Sequence, residues 1–458
     1  MPLELASPAA PLTVADRRRL GHGLRKLVPR RLQALWTPPA GRADPVQTLI
    51  ETGRHRIPSL LPIRYDRMRQ SAFAFLRGAA AIMAADLAAT PASGLTVQAC
   101  GDCHHANFGT FASPEGTPVF DVNDFDETLP APFEWDLKRL ATSFVVDARG
   151  RGLPPKACRQ LARTVTAAYR EKMMHLAKLD PLVAWRTRTD VTDILAGIPD
   201  ARLREREMRR LQEATLASQR HYPKLLERDR GGWRIRARPP LILPLTRKAD
   251  DTHEWAARTA FASYAATLPE ERAALLSRYR LTDLAFKVVG VGSVGTFCAI
   301  GLFSSADGHV LLLQAKEAQR SVLAPYAGRS QYANQGKRVV TGQRLLQTVT
   351  DVFLGWTQDA GDDRHCYVRQ LKDQRMAMIG SQLADAALPY HALLCGQTLA
   401  RAHARSGDAA QIAGYMGSGT AFDAAVAGFA MAYAAQTERD HRLFLEAIKA
   451  GVIEADAP

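Results

Sequence analysis

The sequence predicts an α+β fold: a mainly helical body carrying a small antiparallel sheet. Three observations predict it. Apolar residues recur at helical spacing near residues 71–89, through 135–179 and beyond Leu388. Short β-rich runs crowd between Leu284 and Leu371, joined by turn sequences. The composition, with 458 residues, 47% hydrophobic and 23% charged, is that of a globular chain with enough length for several cores.

Residues 1–60 are arginine-rich with scattered prolines and read as a basic arm. Residues 61–180 open with Phe73, Leu76, Ala80, Met83 and Leu87, which predict one helix over Ser71–Ala89. PASG breaks it. Leu95–Ala99 reads as a strand ending at CGDCHHAN, and Pro118–Val122 as a second strand ending before NDFDE. Helices are expected over Trp135–Ala148 and Pro154–Leu179. Residues 181–280 read as a charged helical insertion, interrupted by RGGWRIRARPPLILPL. Residues 281–375 hold the β-rich runs FKVVGVGSVGTFCAIGLF and HVLLLQAKEA around the turn SSADG. A helix near Gln335–Thr350 and a strand pair, Asp351–Thr357 with Cys366–Leu371, complete that unit. Residues 376–458 read as helical to the end.

Composition also excludes function classes. A formal charge of +14 favours anionic partners such as nucleotides, phosphorylated substrates, nucleic acid or acidic lipid, and chooses none of them. The 201–250 window, with 14 Arg and Lys against 6 acids, offers an anionic docking face, although most such runs are solvated helix surface. Six scattered cysteines build no disulfide framework. The longest apolar candidate, Val288–Phe303, is broken by four glycines, so no membrane span is expected. The first 31 residues lack the apolar core of an export signal, and the chain is expected to be cytoplasmic.

Two polar clusters carry chemistry. The first is Asp102, His104 and Asn107, followed by Asp124 and Asp126. Strands that end in carboxylates and amides suit a hard cation: magnesium takes oxygen ligands, usually one or two carboxylates plus substrate phosphates. Asn107 and Asp124 fit that shell, with Asp126 beside them, leaving Asp102 to orient or deprotonate a hydroxyl. Turn-forming Asp and Asn explain one or two of these residues but not the whole string. Cys100-Gly-Asp-Cys103-His104 also matches the haem-attachment pattern C-x-x-C-H and half of a zinc site. No export signal, axial ligand or second cysteine pair accompanies it, so both cysteines are expected to be small buried hydrophobes that bind neither haem nor zinc. The second cluster is Gly290, Gly292 and Gly295, flanked by β-like runs. A dinucleotide fingerprint would open a helix, whereas TFCAIGLF continues as strand. A glycine-rich hairpin over ATP phosphates fits better, because Lys316 follows 21 residues later on the next strand. A third segment, His403 to Asp408, competes for the catalytic role but has Ala413 where Asp102 has Asn107. A charged helix terminus is its simpler reading.

CGDCHHAN…FDVNDFD resembles the H-G-D-x-H-x-x-N…I-D-F-D signature of aminoglycoside and choline phosphotransferases. Gly101, Asp102, His104, Asn107, Asp124, Phe125 and Asp126 carry the match, and Cys100 replaces the leading histidine. The resemblance implies a two-lobed protein-kinase-like fold, ATP and Mg2+, and a role for Asp136 in anchoring the catalytic loop from a helix. In that family the glycine hairpin and lysine come first. Here they follow, which implies a circular permutation. The strings IRYDRMRQSAFAFLRGAA, VQACGDCHHANFG, FDVNDFDETLPAPFEWDLKRLATSF, VGVGSVGT, GQRLLQ and LARAHARSGD resemble the uncharacterised bacterial family of domain of unknown function 2252, over roughly residues 45–445. Kinase-like lysines pair with a helix glutamate, yet GKRVVTGQRLLQT holds no acid, so Gln343, Gln335 or Glu317 is expected to partner Lys316.

Two functions follow as expectations. The first is an ATP- and magnesium-dependent phosphotransferase acting on an unknown hydroxyl acceptor, small molecule or protein, with nucleotidyl transfer as a variant. The second is a non-catalytic nucleotide-binding protein of the same shape. Both make nucleotide the expected partner, ahead of nucleic acid.

Overall fold

Residues 298–303 and 310–315 are apolar almost without alternation, a pattern that suits strands covered on both faces. In the computed structural model they are the middle of a sheet. The structure describes residues 12–196, most of 201–209, 225–229, 232–245, 252–288, 290, 292, 294–357, 364–371 and 385–455.

The strands, in chain order, are β1 (Thr96–Ala99), β2 (Phe108–Ala112), β3 (Pro118–Val122), β4 (Leu129–Pro132), β5 (Leu226–Asp229), β6 (Gly232–Ile235), β7 (Ile242–Pro244), β8 (Arg280–Lys287), β9 (Cys298–Ser304), β10 (Val310–Glu317), β11 (Gly355–Trp356) and β12 (Cys366–Gln370). The large sheet is antiparallel with six strands in the order β11-β12-β10-β9-β8-β7. One face packs on Ala257, Phe261 and Tyr264 of the helix Thr252–Ala265. The other packs on Leu226 and Ile235 of the separate hairpin β5–β6. Two layers therefore cover β9 and β10, which explains their unbroken apolar runs.

The expected 181–280 insertion is helical only in part. Its described residues include the hairpin β5–β6 and β7, which joins the large sheet beside β8. The β-branched and aromatic residues of the RGGWRIRARPPLILPL stretch are what favour extended chain there.

The helical body is built from Phe133–Gly150, Pro155–Leu176, Leu388–Ala404 and Ala421–Lys449 around one core that includes Leu137, Leu140, Val165, Tyr169, Leu399 and Phe429. Residues 12–60, read from sequence as a basic arm, lie packed on this body. Arg25 donates to the Tyr415 carbonyl at 2.8 Å and Arg30 to that of Met416 at 2.8 Å. Those carbonyls end the helix Ala409–Met416 and lack intrahelical donors, so arginine is well suited to them. Arg42 ties the same segment to Asp86 at 2.8 Å and to Asp440 at 2.6 Å.

The single helix expected over Ser71–Ala89 is two, Ala72–Gly78 and Ala80–Ala88, split at Ala79 (φ −112°, ψ 33°). The break frees carbonyls, and arginines take them: Arg139 donates to Leu76 O at 2.8 Å and Arg64 to Gly78 O at 2.6 Å. Among the described residues no helix is long and apolar enough to cross a membrane.

Candidate functional site

Strand pairing creates the site. β1 pairs with β4, setting Ala99 opposite Leu129, and β2 pairs with β3, setting Phe108 opposite Val122. The chain segments 100–107 and 123–128 both run between these two ladders, so they must lie side by side. Asn123 N–H donates to Asn107 O at 2.8 Å across the gap.

The first segment is fixed from the helix Phe133–Gly150. The Asp136 carboxylate accepts Cys100 N–H at 2.6 Å and Gly101 N–H at 3.0 Å. Gly101 has φ +84°, and a methyl group there would lie 2.4 Å from the Glu127 carbonyl oxygen. Glycine alone satisfies both constraints. Asp136 is itself set by His403, whose Nε2 lies 3.1 Å from Oδ2 and whose Nδ1 lies 2.9 Å from the Tyr169 hydroxyl. One helical turn beyond Asp136, Arg139 holds Asp102 through Nε at 2.9 Å and through Nη2. Both bonds end on Oδ1, and Oδ2 faces His104 Nε2 at 3.7 Å. Asn107 donates its amide N–H to Asp102 O at 2.8 Å, which turns its side-chain oxygen away from that bond.

Lys316, on β10, is 3% exposed and crosses from the large sheet to the second segment. Its ammonium pairs with Asp126 and lies 3.8 Å from Asp124 Oδ1. Its cross-strand partner on β12, Tyr367, donates its hydroxyl to Asp126 Oδ1 at 2.8 Å. Lys316 thus meets two carboxylates from far earlier in the chain, Asp126 lying 190 residues before it.

The expected partners of Lys316 are engaged elsewhere. Gln343 donates to Gln347 at 2.9 Å, Gln335 accepts from Arg338 at 2.7 Å, and Glu317 accepts Phe297 N–H at 2.9 Å. The helix Gln335–Leu346 presents an arginine to the acidic segment instead: Arg338 donates to the carbonyls of Thr128, Asp126 and Gln319.

Burial pushes the Asp126 carboxyl up, but the Lys316 ammonium and the Tyr367 hydroxyl outweigh it and bring the value down to about 2. Asp124 moves the other way: burial and the Asp126 charge raise it, against Lys316. Asp102 is also raised by burial, against Arg139. Lys316 is raised despite its burial, because both carboxylates favour the ammonium. Neighbouring acids with opposite shifts are a feature of functional sites as well as of structural ion-pair networks.

Of the glycines, Gly292 reaches this cluster: a methyl group there would lie 3.7 Å from Asp102 Oδ2. Gly295 (φ +89°) is held by Ile57 N–H, which donates to its carbonyl at 2.7 Å. Gly290 has open space around it. Asp408 lies apart from the cluster. It caps the helix Ala409–Met416, accepting Ala410 and Gln411 N–H groups at 3.0 Å, and pairs with Arg17 at 3.4 Å.

Cys100 and Cys103 are buried, with their sulfurs and an Asp136 oxygen within 4.8 Å of one another. Asp136 already accepts from two backbone N–H groups and faces His403, and the Cys103 thiol and burial raise the Cys100 pKa well above its ordinary value. That donor set suits hydrogen bonding better than a cation.

Sequence reading missed Arg139, Tyr367, Arg338 and Arg369, the last donating to Asn123 O at 3.2 Å. Arg139 was the findable one, since it lies three residues from Asp136 and so on the same helix face.

The chain belongs to the family described as uncharacterized protein conserved in bacteria (DUF2252), whose model matches residues 56–447. Comparison with curated proteins and with solved structures returned no match.

Proposed function

We propose that this member of the DUF2252 family is an ATP- and magnesium-dependent phosphotransferase that acts on a hydroxyl acceptor. On this reading the chain is a circularly permuted kinase-like protein. The helical body with its acidic segments is the large lobe, and the sheet bearing Lys316 is the nucleotide-clasping lobe. The observation that carries it is the meeting of Lys316 with Asp124 and Asp126, since a buried lysine beside a carboxylate pair is what a Mg2+-bound triphosphate needs.

The residues fit the implied groups. Asn107 and Asp124 hold the cation, their oxygens being the hard donors that magnesium takes, with Asp126 beside them. Bound MgATP supplies the phosphoryl group. Lys316 contacts phosphate oxygens, and Gly290, Gly292 and Gly295 let backbone approach them. Asp102 orients the acceptor hydroxyl and takes its proton at Oδ2, the oxygen that Arg139 leaves open. His403 and Asp136 act at one remove, by fixing the loop that bears Asp102.

The test is equilibrium binding of MgATP, with and without Mg2+, beside turnover on hydroxyl acceptors. Asp124→Asn is expected to weaken magnesium-dependent binding. Asp102→Asn is expected to bind MgATP as the wild type does, and to transfer at least 100-fold more slowly, the order of a general-base contribution. Wild-type protein without Mg2+-dependent ATP binding ends the reading. Binding that Asp102→Asn leaves intact, with no transfer by either protein, favours the non-catalytic nucleotide-binding alternative. The Arg139 bonds to Asp102 are the specific reason to keep that alternative.

A further inference from the structure

Asp126 is doubly occupied by the sheet. The Lys316 ammonium pairs with its Oδ2 and the Tyr367 hydroxyl donates to its Oδ1 at 2.8 Å, so each carboxylate oxygen carries a donor. The same ammonium lies 3.8 Å from Asp124 Oδ1, which also accepts Asp126 N–H at 3.4 Å. Two residues along the β10–β12 ladder, Arg369 stands opposite Gln314, on the sheet face that bears Lys316 and Tyr367. Arg369 Nη1 donates to Asn123 O at 3.2 Å. The Tyr367 ring has Lys316 Nζ at 5.9 Å and Arg369 Cζ at 5.7 Å from its centroid.

Exposure divides these groups. The Lys316 side chain is 3% exposed, whereas those of Asp124 and Asp126 are 30% and 24% exposed. An ion that arrives from solvent therefore meets the carboxylates, with the ammonium already behind them. A divalent cation arriving alone must displace the ammonium and the hydroxyl from Asp126, or settle on Asp124 with the ammonium 3.8 Å from its ligand oxygen. Like charges at such separations repel far more in a poorly solvated site than in water. Displacement alone is no escape, because it leaves a buried ammonium without a partner. A polyphosphate arriving alone brings its charge against two carboxylates. When both arrive, the conflicts cancel. The carboxylate oxygens take the metal ion, and the flexible lysine stem lets the ammonium turn from Asp126 to phosphate oxygens.

We infer that Lys316 and Tyr367 form a counter-ion lock on Asp126, which refuses Mg2+ alone and admits it together with a polyphosphate. The inference rests on the ATP- and magnesium-dependent reading of this site and adds how its two ligands are coupled. By linkage the coupling runs both ways, so tripolyphosphate binds better with Mg2+ than without it.

The experiment titrates the full chain with Mg2+ alone, with tripolyphosphate in EDTA, and with MgATP, by calorimetry at constant ionic strength. Wild type, Tyr367→Phe, Lys316→Met and Lys337→Met are compared. Tyr367→Phe keeps the ring and the ammonium and takes one donor off Asp126. It is expected to bind Mg2+ alone about tenfold more tightly than the wild type, the change that goes with one charge-assisted hydrogen bond, and tripolyphosphate as the wild type does. Lys316→Met is expected to gain at least as much for Mg2+ and to lose about tenfold or more for tripolyphosphate. Mg2+ alone is also expected to raise the melting temperature of Lys316→Met and to leave that of the wild type nearly unchanged, since the ion takes the ammonium's place. Should Lys316→Met fail to fold, Tyr367→Phe decides by itself. Lys337 is exposed on the helix Gln335–Leu346, 5.5 Å from the Tyr332 and Trp356 rings, and serves as the control for general charge: Lys337→Met is expected to change neither affinity.

An unchanged Mg2+ affinity in Tyr367→Phe overturns the inference, as does an equal gain in Lys337→Met. Variants that gain Mg2+ affinity while the wild type binds no MgATP uphold the lock and end the phosphotransferase reading. Wild-type MgATP binding, with Mg2+ affinity the same in every variant, ends the lock and spares the reading.

Discussion

The acidic segments and the glycine turn beside them are held to different degrees. Residues 100–107 and 123–128 are pinned by charged side chains: Asp136 on two backbone N–H groups, Arg139 on Asp102, Lys316 on Asp126 and Arg338 on the carbonyls of Asp126 and Thr128. The glycine turn rests on two contacts, the Arg56 guanidinium on Val294 O and Ile57 N–H on Gly295 O, and Gly290 has nothing near it. On the proposed function, the contrast matches what each would do. Carboxylates that hold a cation need fixed positions, which buried charge-assisted bonds supply. A backbone that closes over phosphates needs room, which glycine supplies.

Lys316→Met breaks this contrast most severely. It strands Asp124 and Asp126 without their cation, at a cost of about 3–5 kcal/mol of unfolding free energy near neutral pH. Urea denaturation measures it. The loss is expected to shrink as pH falls, because the stranded carboxyls, raised by burial, become protonated; a loss of equal size at pH 4 and pH 8 would count against the ion-pair account.

Asp136→Asn comes next. An amide offers one acceptor oxygen where the carboxylate offers two, so one of the N–H groups of Cys100 and Gly101 stays buried and unpaired, costing about 1–3 kcal/mol. Amide hydrogen exchange at these two positions is expected to accelerate with the drop in stability.

Glu127→Gln sharpens the comparison with the opposite sign. Burial, the largest influence, raises the Glu127 carboxyl from its ordinary 4.5 to about 7. A folded value above the unfolded one means stability that is present below about 4.5 and lost as pH rises through about 7. The glutamine stays neutral and its oxygen can still accept Val322 N–H. The variant is therefore expected to gain roughly 3 kcal/mol at pH 8 and nothing at pH 4, read from thermal melts across that range.

The glycine turn is expected to respond least. Gly295→Ala meets a positive φ and the Arg56 side chain, and loses about 1–2 kcal/mol. Gly290→Ala meets neither and stays within about 0.5 kcal/mol. Equal losses at the two positions would mean that the turn is as tightly packed as the acidic segments.

What the sequence determined by itself is local. Pro118–Val122 is the strand its apolar pattern predicts, and the helices Phe133–Gly150 and Pro155–Leu176 lie within a few residues of their expected ends. The family, too, was legible, because its strings are long and specific. Side-chain period, turn residues and motif spacing are properties of neighbouring positions, and a sequence displays them directly. Tertiary structure decided the pairings. No local pattern says that Lys316 meets Asp126, that His403 sets Asp136, that Gln343 turns to Gln347, or that Arg25 and Arg30 cap a helix near Met416. Those contacts depend on how buried charges find the partners that make burial tolerable, and in a folded chain the partner is fixed by proximity in space.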